Sequence, residues 1–189
     1  DGPLPSLTSA VLDILKEEGI KATFFMIGSN AERYPEMVKR EYEEGHGIGN
    51  HTYSHVFKHI YGSPENYTDE LIRSEQVLKS ILGEDKVFKL TRFPGGSFGK
   101  KLAPYRDAVN EVGYLYVDWN CLNGDAETSK PRSAAKLIER LKETVNGQSS
   151  LVVLMHDAPN KQTTVEALPE IIDYLKSEGY QFELLPGSR

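Results

Sequence analysis

Along the whole chain, stretches whose apolar residues recur every three or four positions alternate with short, unbroken apolar runs. Residues 6–18 place Leu7, Val11, Ile14 and Leu15 on one helical face, and Gly19 ends that helix. Residues 22–27 then read as a buried strand. The same rhythm predicts helices over 31–44 (stopped by Gly45), 68–82 (capped by Thr68), 102–112, 131–145 (with Pro131 near its first turn) and 165–177. It predicts strands around Ile48 and over 88–93, 114–119, 151–155 and 181–185. Six helices and six strands in alternation, every strand short and apolar, describe parallel strands buried on both faces. A barrel and a doubly wound sheet both satisfy this pattern. One more strand before Asp1 would make seven and suit a slightly irregular (β/α) barrel, in which chemistry collects on loops at the C-terminal ends of strands.

Composition narrows the partners. A chain of 189 residues suffices for one sizeable core and is short for two, so a single domain over 1–189 is expected. A formal charge of -6 argues against nucleic acid or an anionic membrane, both of which select basic faces. The single cysteine, Cys121, permits no internal disulfide. No apolar run reaches the roughly 18 residues of a membrane span. Nothing in the sequence sets an oligomeric state.

The chemistry-bearing residues fall at strand ends. Asp1-Gly2-Pro3 leads into the first helix, and Asn50-His51-Thr52-Tyr53-Ser54-His55 follows the strand at Ile48. Arg92-Phe93-Pro94-Gly95-Gly96 follows the next, then Trp119 with Asp125 on its loop, then His156-Asp157. Aspartate, arginine and histidines at separate strand ends form a metallohydrolase inventory, since catalytic zinc commonly takes three protein ligands and leaves one position for water. His51 and His55, four apart, can turn both imidazoles toward one ion. His46 and His59 lie off the pattern and read as packing or surface residues. Asp157 reads as a loop anchor, Asn123-Gly124-Asp125 also reads as a turn, and the charged face over 136–143 reads as solvated.

The run from Gly45 to His55 is similar to the second motif of the polysaccharide deacetylases, the NodB-like carbohydrate esterases. Asp1-Gly2-Pro3 resembles the end of their first motif, Arg92-Phe93-Pro94-Gly95-Gly96 the third, Trp119 through Asp125 the fourth, and Leu154-Met155-His156-Asp157 the fifth. The five matches come in family order. The resemblance implies a distorted (β/α)7 barrel whose first strand lies outside the given chain. It implies a divalent ion, expected to be zinc or another ion accepting N and O ligands, held by Asp1, His51 and His55. Such an ion polarises the acetyl carbonyl and brings the pKa of bound water toward about 7. By the same resemblance, the Gly95 N–H faces the developing oxyanion, His156 protonates the leaving amine, and Asp125 orients His156. Leu154 and Trp119 wall the acetyl pocket. Arg92 matches the arginine that holds the family's general base, a residue that would directly precede Asp1. Two departures are notable: the family's general-base aspartate is not in the given chain, which leaves Arg92 without that partner and puts the α-amino group of Asp1 beside the expected metal site, and Ala126 stands where many members carry tryptophan.

The activity so implied is removal of N-acetyl groups from a polysaccharide, with N-acetylglucosamine of peptidoglycan first, chitin oligosaccharide second and O-acetyl xylan third. An extracellular or cell-surface location goes with such substrates. The alternative is a non-catalytic carbohydrate-binding protein on the same fold, against which stands the presence of His51, His55, Asp125 and His156 together.

Overall fold

A computed structural model describes residues 1–189. In chain order its elements begin with helix α1 (Pro5–Glu17), strand β1 (Thr23–Met26), helices α2 (Gly28–Arg33) and α3 (Pro35–Glu43), and β2 (Gly47–Asn50). Next come α4 (Phe57–Ile60), α5 (Pro64–Leu82), β3 (Leu90–Thr91), a 3-10 turn at Lys100–Leu102, and α6 (Ala103–Glu111). The chain continues with β4 (Leu115–Tyr116), β5 (Cys121–Leu122), α7 (Ala134–Val145), β6 (Val153–Leu154) and α8 (Gln162–Ser177). No helix is long and apolar enough to cross a membrane. The residues group into two compact units: Asp1–Pro3, Ala22–Asp118 and Leu184–Arg189 in the first, Leu4–Lys21 and Trp119–Glu183 in the second.

The first unit is built on a four-stranded sheet in the order β1-β2-β3-β4, every neighbouring pair parallel. Gly49 on β2 lies under the Phe25 ring of β1, where an added Cβ would come within 2.5 Å of ring carbons. Met26, Val38, Ile48, Leu78 and Phe88 form one buried cluster, and Ile60, Tyr67, Leu71, Phe93, Val109 and Tyr114 another. Each such side chain contributes about 1.5–3 kcal/mol on burial.

Three expectations are corrected here. The helix expected over 31–44 is two helices, because Pro35 lacks an N–H and forces Tyr34 out of helical geometry (φ -129, ψ 58). The helix expected from Thr68 begins at Pro64; Ser63 caps it, its hydroxyl accepting the Asn66 N–H at 3.2 Å, while Thr68 sits inside and donates to the Glu65 carbonyl. The apolar runs 88–93 and 114–119 pair over only two residues each. Pro94, lacking an N–H, follows the first run, and Asp118 ends the second by turning its carboxylate to Ser97.

The second unit pairs β5 with β6 in parallel, Cys121 opposite Val153 and Leu122 opposite Leu154. Leu137, Leu141 and Val145 of α7 pack with Ala167, Ile171 and Leu175 of α8, and α1 also lies against α8. β5 was hidden within the loop expected after Trp119, and Pro131 precedes α7 rather than starting it. Residues 181–185 are not a strand: the Leu185 N–H donates to the Thr23 hydroxyl at 3.1 Å instead of a neighbouring backbone.

Candidate active site

The loop after β2 carries both candidate histidines of the first unit. Thr52 and His55 adopt left-handed backbone (φ 67 and φ 54), unusual for non-glycine residues and especially for a β-branched one. Each such residue costs about 1–3 kcal/mol, so surrounding bonds must impose the conformation. Asn50 does part of this. Its Oδ1 accepts the Thr52 N–H at 3.0 Å, its Nδ2 donates to the Leu71 carbonyl, and its own carbonyl accepts the Thr91 hydroxyl. The His55 N–H in turn donates to the Thr52 hydroxyl at 3.3 Å.

This backbone brings Asp1, His51 and His55 together, with one ligand atom from each lying within 4.8 Å of the others. His51 Nε2 is 3.1 Å and His55 Nε2 3.8 Å from Asp1 Oδ1. The Asp1 amino group donates to the Phe25 carbonyl at 3.3 Å. His51 Nδ1 lies 2.6 Å from the Arg92 carbonyl, which can only accept, so Nδ1 carries the proton. In the neutral ring Nε2 then presents a lone pair toward Asp1 and His55, the tautomer a metal ligand needs. Burial pushes His51 well below the ordinary histidine value and keeps the ring neutral. A carboxylate oxygen and two imidazole nitrogens, one oriented by a carbonyl behind it, fit a divalent ion of zinc type.

Arg92 serves this group through its main chain. Its side chain is buried, with the guanidinium 4.4 Å from the centre of the Phe25 ring and Nε donating to the Val117 carbonyl at 3.4 Å. Burial lowers it to about 10. Gly95, exposed and at φ 77, meets the Phe57 ring where a Cβ would stand, and the Tyr61 hydroxyl donates to the adjoining Pro94 carbonyl. Asp118 fixes the far end of this loop by accepting from Ser97 N–H and hydroxyl at 2.9 and 2.5 Å. His46 is buried and accepts the Ala22 N–H, and His59 lies exposed 3.5 Å from Glu70; both match their reading as packing and surface residues.

In the second unit, Asp125 and His156 form a pair. Asp125 Oδ1 is 2.7 Å from His156 Nδ1, and Oδ2 accepts the His156 backbone N–H and the Thr164 hydroxyl, each at 2.9 Å. Burial opposes ionisation of Asp125, but the bonds from His156 and Thr164 outweigh it and hold the carboxyl below the usual range. Asn123 also accepts the Asp125 N–H, so the segment is a turn and a side-chain anchor at once. Lys161 donates to the Asp125 carbonyl. Trp119 is half-buried just before β5, and Leu154 is half-buried within β6. Asp157 anchors its loop by accepting the Thr8 hydroxyl at 2.7 Å. Asn50, Thr164 and Lys161 were missed as contributors, because in sequence they look like ordinary polar residues, although Asn50 directly precedes His51.

A parallel α/β fold here gathers a carboxylate and two imidazoles that could together hold a metal ion. The profile of the polysaccharide deacetylase family matches residues 1–117. The chain belongs to that family. A peptidoglycan-N-acetylglucosamine deacetylase of Bacillus cereus is 35% identical over 97% of the chain, which spans 66% of that protein's length and so less than two thirds of it. A chitin deacetylase of Colletotrichum lindemuthianum is 33% identical, covering 96% of the chain and 73% of that protein. The structure of a Streptococcus mutans CE4 esterase superposes with a TM-score of 0.89 at 32% identity, covering 98% of this chain and 82% of that one. The fold is therefore the α/β, distorted-barrel type of the polysaccharide deacetylases.

Proposed function

We propose that residues 1–189 belong to a catalytic domain that hydrolyses N-acetyl groups on a polysaccharide, with N-acetylglucosamine of peptidoglycan as first substrate, chitin oligosaccharide next and O-acetyl xylan third. The observation that carries the reading is the convergence of Asp1, His51 and His55 with the His51 tautomer set by the Arg92 carbonyl. The similar deacetylases of Bacillus cereus and Colletotrichum lindemuthianum support the order of substrates. An extracellular or cell-surface site of action follows from such polymers.

Asp1, His51 and His55 would hold the divalent ion, zinc being the expected one. Bound there, the ion supplies Lewis acidity toward the acetyl carbonyl and a water made more acidic. His51 stays aligned because its Nδ1–H is committed to Arg92. The Gly95 N–H is assigned to the oxyanion, a contribution of about 2.7–4 kcal/mol for donors of this kind. His156 Nε2 gives its proton to the departing amine, and Asp125 stabilises the charged imidazole through Nδ1. Leu154 and Trp119 are assigned to the wall around the acetyl methyl.

The test is acetate release from peptidoglycan and from chitin oligosaccharide in the presence of zinc. Activity that vanishes in His51→Ala and falls by about 10²–10⁴-fold in His156→Ala is expected. Zinc-loaded protein that binds these glycans yet releases no acetate would replace the reading with a carbohydrate-binding protein on this fold.

A further inference from the structure

Behind the loop that carries His51 and His55 stands a carboxylate with no ligand role. Glu70 of α5 is 6% exposed, and its Oε2 accepts two consecutive backbone N–H groups, Tyr53 at 3.0 Å and Ser54 at 2.6 Å. These two residues lie between the left-handed Thr52 and His55. Successive N–H groups turned to one side form a concavity that selects an anion. From α2, the Gly28 and Ser29 N–H groups donate to the Thr52 and Tyr53 carbonyls, each at 2.9 Å. The loop is thus gripped by its carbonyls from one helix and by its N–H groups from another.

We propose that Glu70 is a positioning residue for the metal centre. By accepting both N–H groups it stabilises the strained turn in which His51 and His55 face Asp1, so metal affinity depends on a carboxylate that is not itself a ligand. The inference rests on reading Asp1, His51 and His55 as metal ligands. Nothing in the sequence distinguishes Glu70 from the other acidic positions of its helix.

The experiment measures the zinc dissociation constant by competition with a chromophoric chelator for the full chain and for Glu70→Ala, Glu70→Gln and Glu70→Asp. The absorption spectrum of the cobalt-substituted forms and the thermal unfolding of the metal-free forms are recorded alongside. Glu70→Ala is expected to weaken zinc about 10–100-fold, as removal of outer-shell supports does, and to alter the cobalt spectrum. Glu70→Gln keeps one oxygen for both N–H groups and is expected to restore affinity to within about threefold of wild type. A general loss of stability would lower the unfolding temperature of the metal-free protein without changing the affinity or cobalt spectrum of what remains folded. Folded Glu70→Ala that binds zinc like wild type overturns the proposal. If Glu70→Ala does not fold, Glu70→Asp, which draws the acceptor back by one methylene, must show the weakening, and wild-type affinity there overturns it equally. Wild-type protein that binds zinc but releases no acetate removes the deacetylase reading alone, whereas wild type that binds no zinc removes both.

Discussion

Replacing Asp125 by asparagine tests the Asp125–His156 pair at constant shape. The carboxylate accepts three bonds: the His156 ring on Oδ1, and the His156 N–H and Thr164 hydroxyl on Oδ2. Asparagine offers one oxygen. If that oxygen faces the ring, the amide NH₂ meets the His156 backbone N–H, which cannot turn away. If it faces the backbone, the NH₂ meets the ring nitrogen and demands the opposite tautomer. Either placement sets donor against donor or removes the charge-assisted bond at a buried site, at a cost of about 1–3 kcal/mol. Urea unfolding at pH 7, followed by the fluorescence of Trp119, the single tryptophan and a member of the same unit, should show that loss. The effect also has a signed pH dependence. Asp125 titrates below the ordinary carboxylate value when folded, so its stabilisation is fully present above the unfolded value of about 3.9 and is lost as pH falls through the lower folded value. The gap between wild type and Asp125→Asn should therefore narrow at acid pH. Equal stability of the two proteins at pH 7, or a gap undiminished when the carboxylate is protonated, refutes the reasoning.

Other perturbations follow from the same geometry. The His51→Ala, His55→Ala double variant should lose the zinc that wild type retains after chelator-free purification, read by elemental analysis. Gly49→Ala, whose methyl group meets the Phe25 ring, should cost about 1–3 kcal/mol in thermal unfolding, although its backbone is not in the left-handed region. Ser63→Ala should remove about 1 kcal/mol from the protein by uncapping α5, measured in urea. Leu141→Ala should empty space between α7 and α8 and cost about 2–5 kcal/mol in the same assay.

Much of this architecture could be read from periodicity because the helices bury one face. Leu7, Val11, Ile14 and Leu15 mark one face of α1 by their spacing, and the structure buries Leu7 and Leu15 of these together with Leu12. Helix starts were less legible. Ser63 and Pro64 mark the true beginning of α5, but the apolar pattern is strongest farther in and drew the expected cap to Thr68. Strand lengths were overestimated because apolar content reports burial, whereas a strand needs a partner backbone, and Phe93 and Phe182 are packed without one. At the site, histidine spacing and motif order pointed to Asp1, His51 and His55, which the structure places within reach of one another. Glu70, Thr164 and Asn50 stayed hidden for a common reason. Each bonds to a main-chain or side-chain group far away in sequence, and a residue whose partner is remote leaves no local periodicity.

The division of the chain into interleaved segments bears on how it can be cut. Helix α1 stands near the beginning of the sequence yet belongs with residues Trp119–Glu183, and Thr8 reaches Asp157 across 149 positions. The unit with the four-stranded sheet, for its part, includes Leu184–Arg189, where the Ser188 carbonyl accepts the Ile48 N–H. Cleavage between Asp118 and Trp119 would thus separate no intact half: one fragment would carry a helix without the surface it covers, and the other would keep the C-terminal piece of its neighbour's sheet. Limited proteolysis there should release fragments that remain associated or unfold together, and gene-level exchange of either unit would have to move several separate stretches at once.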